Sequence, residues 1–120
     1  MPVNEQLFGI HGAALTVRSE RMSVIASNIA NAATPGYKAR DIDFNAALDA
    51  RLESGRAGGA ASDPRTGMVW RTPTMPSLDG NTVELNREQV AFAENAVAYS
   101  ATLSFVQGKV NTITRALKGE

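Results

Sequence analysis

The chain of 120 residues contains no cysteine. That excludes a disulfide framework and any zinc site built on thiolates, though it does not choose a compartment. Net charge is also missing, with 12 Lys and Arg against 12 Asp and Glu. A neutral chain exerts no global pull on nucleic acid or on an anionic membrane. Histidine occurs once, as His11, beside an apolar helix face, where a lone imidazole is ordinarily structural. No serine stands in a nucleophile-elbow pattern. Gly55, Gly58 and Gly59 have no strand before them and no capped helix after them, as a phosphate-binding loop requires. Asp41 and Asp43 are close enough for an acid–base pair, but a solvated turn and a helix cap account for them with less. No apolar run reaches the length of a membrane span. Met1 to Ile10 has neither the basic start nor the apolar core of a cleaved signal. These absences leave no enzyme, no cofactor and no metal site to expect. They point to a chain that stays in the cytoplasm or leaves it by an unusual route.

What is present lies at the two ends. From Asn86 to Lys118, the residues Phe92, Ala96, Tyr99, Leu103, Val106, Val110, Ile113 and Leu117 recur at alternating steps of four and three. On a helix they form one apolar stripe that another helix must cover. Asn86 with Gln89 suggests a capping box, and Leu85 with Val90 a hydrophobic staple. Arg115, Lys118 and Gly119 suit the helix end. A long isolated helix is marginal, since packing of the apolar face supplies most of its stability. The stripe therefore implies a partner.

At the other end, Asn4 to about Ala33 reads as a helix. Phe8, Leu15, Met22 and Ile29 recur every seventh residue; Ile10, Val17 and Val24 form a second series, with Ile25 between. Together they span an arc of roughly 200°, wider than one partner helix needs. Thr34-Pro35-Gly36-Tyr37 supplies a turn, and Pro35 pushes Thr34 out of the helical region. Asp43 can cap a short helix bearing Phe44 and Leu48. From Glu53 to about Thr66 the chain is small, polar and glycine-rich, the composition of a flexible linker. Met68 to Trp70 reads as a short strand or a packing anchor, and Thr82 to Leu85 as a second extended piece. Arg18, Arg21, Lys38 and Arg40 are the residues from which a nucleic-acid patch would be built, but Glu20, Asp41 and Asp43 lie among them and the chain is neutral, so none is expected.

The expected fold is mainly α. Long N- and C-terminal helices pack as an antiparallel coiled-coil pair, with an irregular, partly flexible middle that holds a short helix and, on one reading of Met68 to Trp70, a small β element. The expected divisions are residues 1–33, 34–85 and 86–120. Two helices alone bury little, so the surplus apolar arc calls for other copies or other proteins.

The segment Ala26-Ser-Asn28-Ile-Ala-Asn31-Ala-Ala-Thr34-Pro35-Gly36-Tyr37-Lys38 resembles the signature of the bacterial flagellar rod and hook family. There an alanine- and asparagine-rich helix end leads into a threonine-proline-glycine-aromatic turn. Ala39-Arg40-Asp41-Ile42-Asp43-Phe44, Pro76-Ser-Leu-Asp-Gly-Asn-Thr82 and Phe92-Ala-Glu-Asn-Ala96 narrow the likeness to a subunit of the proximal rod. Ser27 departs from it, standing where many members carry a second asparagine. The resemblance implies a non-enzymatic structural subunit that stacks helically in the basal body. Its implied partners are copies of itself, neighbouring rod proteins, the FliE adaptor, the ring at the rod base and the flagellar type III export apparatus. It also implies a periplasmic location reached without a cleaved signal. Asn28, Asn31, Thr34, Pro35, Gly36 and Tyr37 would end the first helix and aim the chain. Phe44 and Leu48 look like the short motif that engages the export gate, although a pair one helical turn apart is also simple packing. Another rod subunit, or a cytoplasmic coiled-coil adaptor outside the family, are the alternatives.

Overall fold

The computed structural model describes residues 3–56 and 67–119, with side chains described for 9–54 and 67–119. Three helices and two short strands follow one another: α1 (Val3–Ala30), β1 (Arg40–Ile42), α2 (Phe44–Arg56), β2 (Met68–Trp70) and α3 (Leu85–Lys118). α1 and α3 run antiparallel. Asn28 meets Glu88 near one end, the Arg18 carbonyl meets Asn95 in the middle, and His11 stacks on Phe105 further along. β1 and β2 form an antiparallel pair, with Arg40 opposite Trp70 and Ile42 opposite Met68. α1 is broken once, at Gly9 (φ 53°, ψ −129°).

The surface that α3 turns to α1 differs from the expected stripe. Its buried residues are Glu88, Ala91, Asn95 and Thr102, which also step by three, four and seven but lie beside the apolar series. Alanine at 91 and 98 lets the helices approach; Glu88 and Asn95 find partners on α1, and Thr102 donates to the Ala98 carbonyl of its own helix. Phe92, Ala96, Tyr99 and Leu103 therefore fall on the flank of the contact.

The wide apolar arc of α1 is partly covered within the chain. Val17, Ile42 and Ala47 form a buried cluster, with Val24 and Phe44 packed against it. Ile25 and Val17 are fully buried, each contributing roughly 1.5–3 kcal/mol by removal from water. Arg51 of α2 pairs with Glu20 of α1. The middle of the chain thus acts as a third layer over α1, a role that composition did not signal.

Several local expectations are corrected. Glu84, not Asn86, occupies the cap position of α3, and its side chain makes no capping bond. Its carboxylate instead accepts from the Thr74 N–H and hydroxyl at 2.7 and 2.6 Å. Leu85 and Val90 are both exposed, so no staple closes. α2 continues to Arg56, so Glu53–Arg56 is helix; the rest of the glycine-rich stretch, 57–66, lies outside the described residues. Trp70 is 68% exposed and anchors nothing in the core. Thr82 to Leu85 forms no ladder; Thr82 donates to the Tyr37 carbonyl and Leu85 already opens α3. The side chain of Phe8 lies outside the described side chains.

Candidate functional site

The turn after α1 is built as its residues dictate. Tyr37 N–H donates to the Thr34 carbonyl at 3.2 Å, and Gly36 adopts φ 74°, a left-handed conformation that costs glycine nothing. Asn31 Nδ2 donates back to Ser27 O, and Thr34 Oγ1 to Asn31 Oδ1. Asn81, fifty residues on from Asn31, turns its amide onto the carbonyls of Asn31, Ala32 and Thr34 at 2.7–3.1 Å. Those carbonyls follow the last turn of α1 and have no helical partner. Asn81 satisfies them from a distant loop, docking residues 79–82 against the turn. Gly36 N–H to Asp79 O and Thr82 N–H to Tyr37 O complete the docking.

Below the turn lies a buried polar clamp. Asn28 is fully buried. Its Nδ2 donates to Arg40 O at 2.6 Å and Glu88 Oε2 at 2.9 Å, and its Oδ1 accepts from Arg40 N–H at 3.1 Å. One side chain therefore joins α1, β1 and α3. Glu88, 1% exposed, also accepts from Arg71 Nε at 2.8 Å. Arg71 reaches Asp41 Oδ2 at 2.9 Å, and Asp41 is gripped from the other side by Arg21 through Nε and Nη2 at 2.9 and 3.1 Å. Two guanidinium groups and two carboxylates thus neutralise one another inside the fold. Burial acts to raise the Asp41 pKa. The Arg21 hydrogen bonds, the Ile42 N–H, and the charges of Arg21 and Arg71 outweigh it, holding the carboxyl below its ordinary range. Asp41 is accordingly a core ion-pair residue, not a solvated turn. Lys38 bonds Gly80 O at the surface, and Arg40, half-buried, reaches Met68 Sδ.

The remaining sequence-derived residues fall in three places. Asn28 and Ile25 are buried; Asn31, Tyr37, Leu15, Met22 and Ile29 are half-buried; Thr34, Pro35 and Gly36 are exposed. On α3, Ala96, Tyr99, Leu103, Val106 and Ile113 are half-buried, whereas Phe92, Val110 and Leu117 are exposed. Phe44 is half-buried beneath Arg18, and Leu48 is buried. Glu88, Arg71 and Asn81 were not foreseen. A signal for the first exists: Glu88, Asn95 and Thr102 stand seven apart, a heptad line that hydropathy passes over.

Residues 9–38 match the family described as "Flagella basal body rod protein". The chain is 44% identical to the flagellar basal body rod protein FlgB of Cereibacter sphaeroides, over 93% of this chain and 94% of that one. The chain belongs to the FlgB family of flagellar basal body rod proteins. It is 40% identical to FlgB of Aeromonas hydrophila, over 97% and 96% of the two chains. It is 38% identical to that of Escherichia coli K12, over 88% of each. The matched residues 9–38 contain Asn28 and the Thr34–Tyr37 turn. In this FlgB-family chain the matched segment supplies Arg21 and Asn28 to the clamp, and later residues close upon them. Among the described residues no helix is long and apolar enough to cross a membrane.

Proposed function

We propose that this chain is a structural subunit of the proximal flagellar rod, without catalytic activity, that assembles through its terminal helices. FlgB relatives similar along most of its length support the rod assignment. The observation that carries the assembly mode is the flank of α3. The clamp and the buried seam hold α3 against α1, and the apolar series of α3 still ends in exposed Val110 and Leu117. Leu15, Met22 and Ile29 on α1 are likewise only half covered. Such surfaces lose free energy to water until a neighbour covers them. The neighbours are other copies, adjoining rod proteins and, at the rod base, the FliE adaptor and ring. The chain reaches them through the flagellar type III export apparatus. Phe44 and Leu48 serve as an export motif only while the chain is unfolded, because the fold buries Leu48. The turn at 34–37, fixed by Asn31 and Asn81, sends the middle segment back over α1.

The test is to purify basal bodies from cells carrying a tagged copy. The protein is expected in the rod fraction. A chain that stays in the cytoplasm of export-competent cells refutes the proposal and favours a cytoplasmic adaptor.

A further inference from the structure

We propose that copies of this chain join head to tail, with the outer face of α3 on one copy, bearing Glu94, entering a trough on the next that holds the cation of Arg18. The trough lies between α1, α2 and α3 and has a volume of about 340 Å³. Ile10, Ala14, Phe44, Leu48 and Phe105 give it apolar walls. Arg18 brings a full charge into it. Its guanidinium lies over the Phe44 ring at 4.1 Å, and its Nε is buried with no hydrogen-bond partner among the described residues. Arg21, Arg51 and Arg71 each meet a carboxylate, whereas Arg18 forms no salt bridge among the described residues. Desolvation, with the like charge of Arg21 nearby, disfavours its charged form. Arg18 is only half-buried, so its cation keeps some water; an anion that reached it would replace that water and meet the unpartnered Nε–H. What the trough lacks is therefore an apolar ridge carrying one carboxylate.

The same chain carries such a ridge. On α3, positions 90, 94, 97 and 101 step by four, three and four and share one side. Val90 and Val97 are 57% and 71% exposed, and Glu94 and Ala101 are exposed with them. Glu94 forms no salt bridge among the described residues, although its field reaches Arg21. Ala101 also lines the trough. Ridge and trough are thus neighbouring sides of one rigid helix, and they cannot meet within one molecule. Where each patch engages a different neighbour, copies join head to tail, and such a contact closes a ring or continues as a helix; a closed dimer of the unmodified chain in solution would show reciprocal pairing and overturn the head-to-tail mode. The helical outcome rests on the rod-subunit reading; the contact itself can be measured apart from it.

The absence of cysteine makes an introduced thiol unique. Ile10→Cys places one in the trough, and Val97→Cys places one on the ridge. The two variants, purified with tags of different size, are mixed and oxidised, and the disulfide dimers are separated by gel. The mixed dimer is expected well above either self-pair. Arg18→Gln in the first partner, or Glu94→Gln in the second, should cut it about tenfold or more, as loss of one member of a desolvated charge pair does. Arg18→Glu with Glu94→Arg should restore it. Arg18→Lys, checked for helicity, controls for lost stacking on Phe44 and should retain most of the cross-link. Random pairing, no cross-link, or a cross-link indifferent to both charges overturns the contact. Incorporation into rods without the cross-link refutes the contact alone; the cross-link in a protein absent from basal bodies refutes the rod reading alone.

Discussion

Glu88 is the residue on which most of the clamp converges, since Asn28 and Arg71 both end on its carboxylate. Glu88→Ala leaves Arg71 short of a partner and empties a fully enclosed site. The expected loss is about 3–5 kcal/mol, the cost of breaking a buried pair from one side; urea denaturation followed by circular dichroism measures it. Asp41 gives the clamp a pH signature. Its carboxyl titrates below the ordinary 3.8 in the folded chain, so its contribution is complete above that value and disappears as pH falls through the lower, folded pKa. The urea midpoint should therefore drop on acidification below about pH 4. Asp41→Asn should lower stability at neutral pH and flatten that acid slope; an unchanged slope would show that other carboxylates govern it.

At the scale of elements, the end of α1 depends on a residue far along the chain. Asn81→Ala removes one donor from each of three carbonyls; those of Asn31 and Thr34 keep a backbone N–H, and losing several hydrogen bonds at once should cost about 1–3 kcal/mol. The Gly36 and Thr82 amides, which tie residues 79–82 to the turn, should then exchange hydrogen faster while the amides of α3 keep their protection. The Thr34–Tyr37 turn was legible in sequence because proline and glycine fix their own torsions. The two long helices were legible from periodicity. The face joining them was not. Hydropathy favoured Phe92 and Leu103 over Asn95 and Thr102, and only the fold shows that Asn95 donates to the Arg18 carbonyl. The clamp was hidden for a similar reason: Asn28 and Glu88 are sixty residues apart, and nothing local to either names the other. The cap of α3 was misread for another reason: Glu84 takes the position expected of Asn86 and turns its carboxylate to Thr74.

For the whole molecule, the proposed assembly through the flank separates from folding, which the seam carries. Val110, 42% exposed, lies outside the seam that binds α1. Val110→Asp should leave the urea midpoint within about 0.5 kcal/mol, as surface changes do, yet abolish rod incorporation and motility. Leu103→Asp, at a half-buried position, should lower both stability and incorporation. Motile cells carrying Val110→Asp would remove the flank from assembly. Gly9 adds a property of a different kind. Its torsions lie where only glycine sits comfortably, and it is the one break in α1. Two angles at a single residue decide where the first turns of the chain point. Alanine there would be strained in those torsions and would draw the helix straight, re-aiming residues 3–8 while the clamp stays untouched.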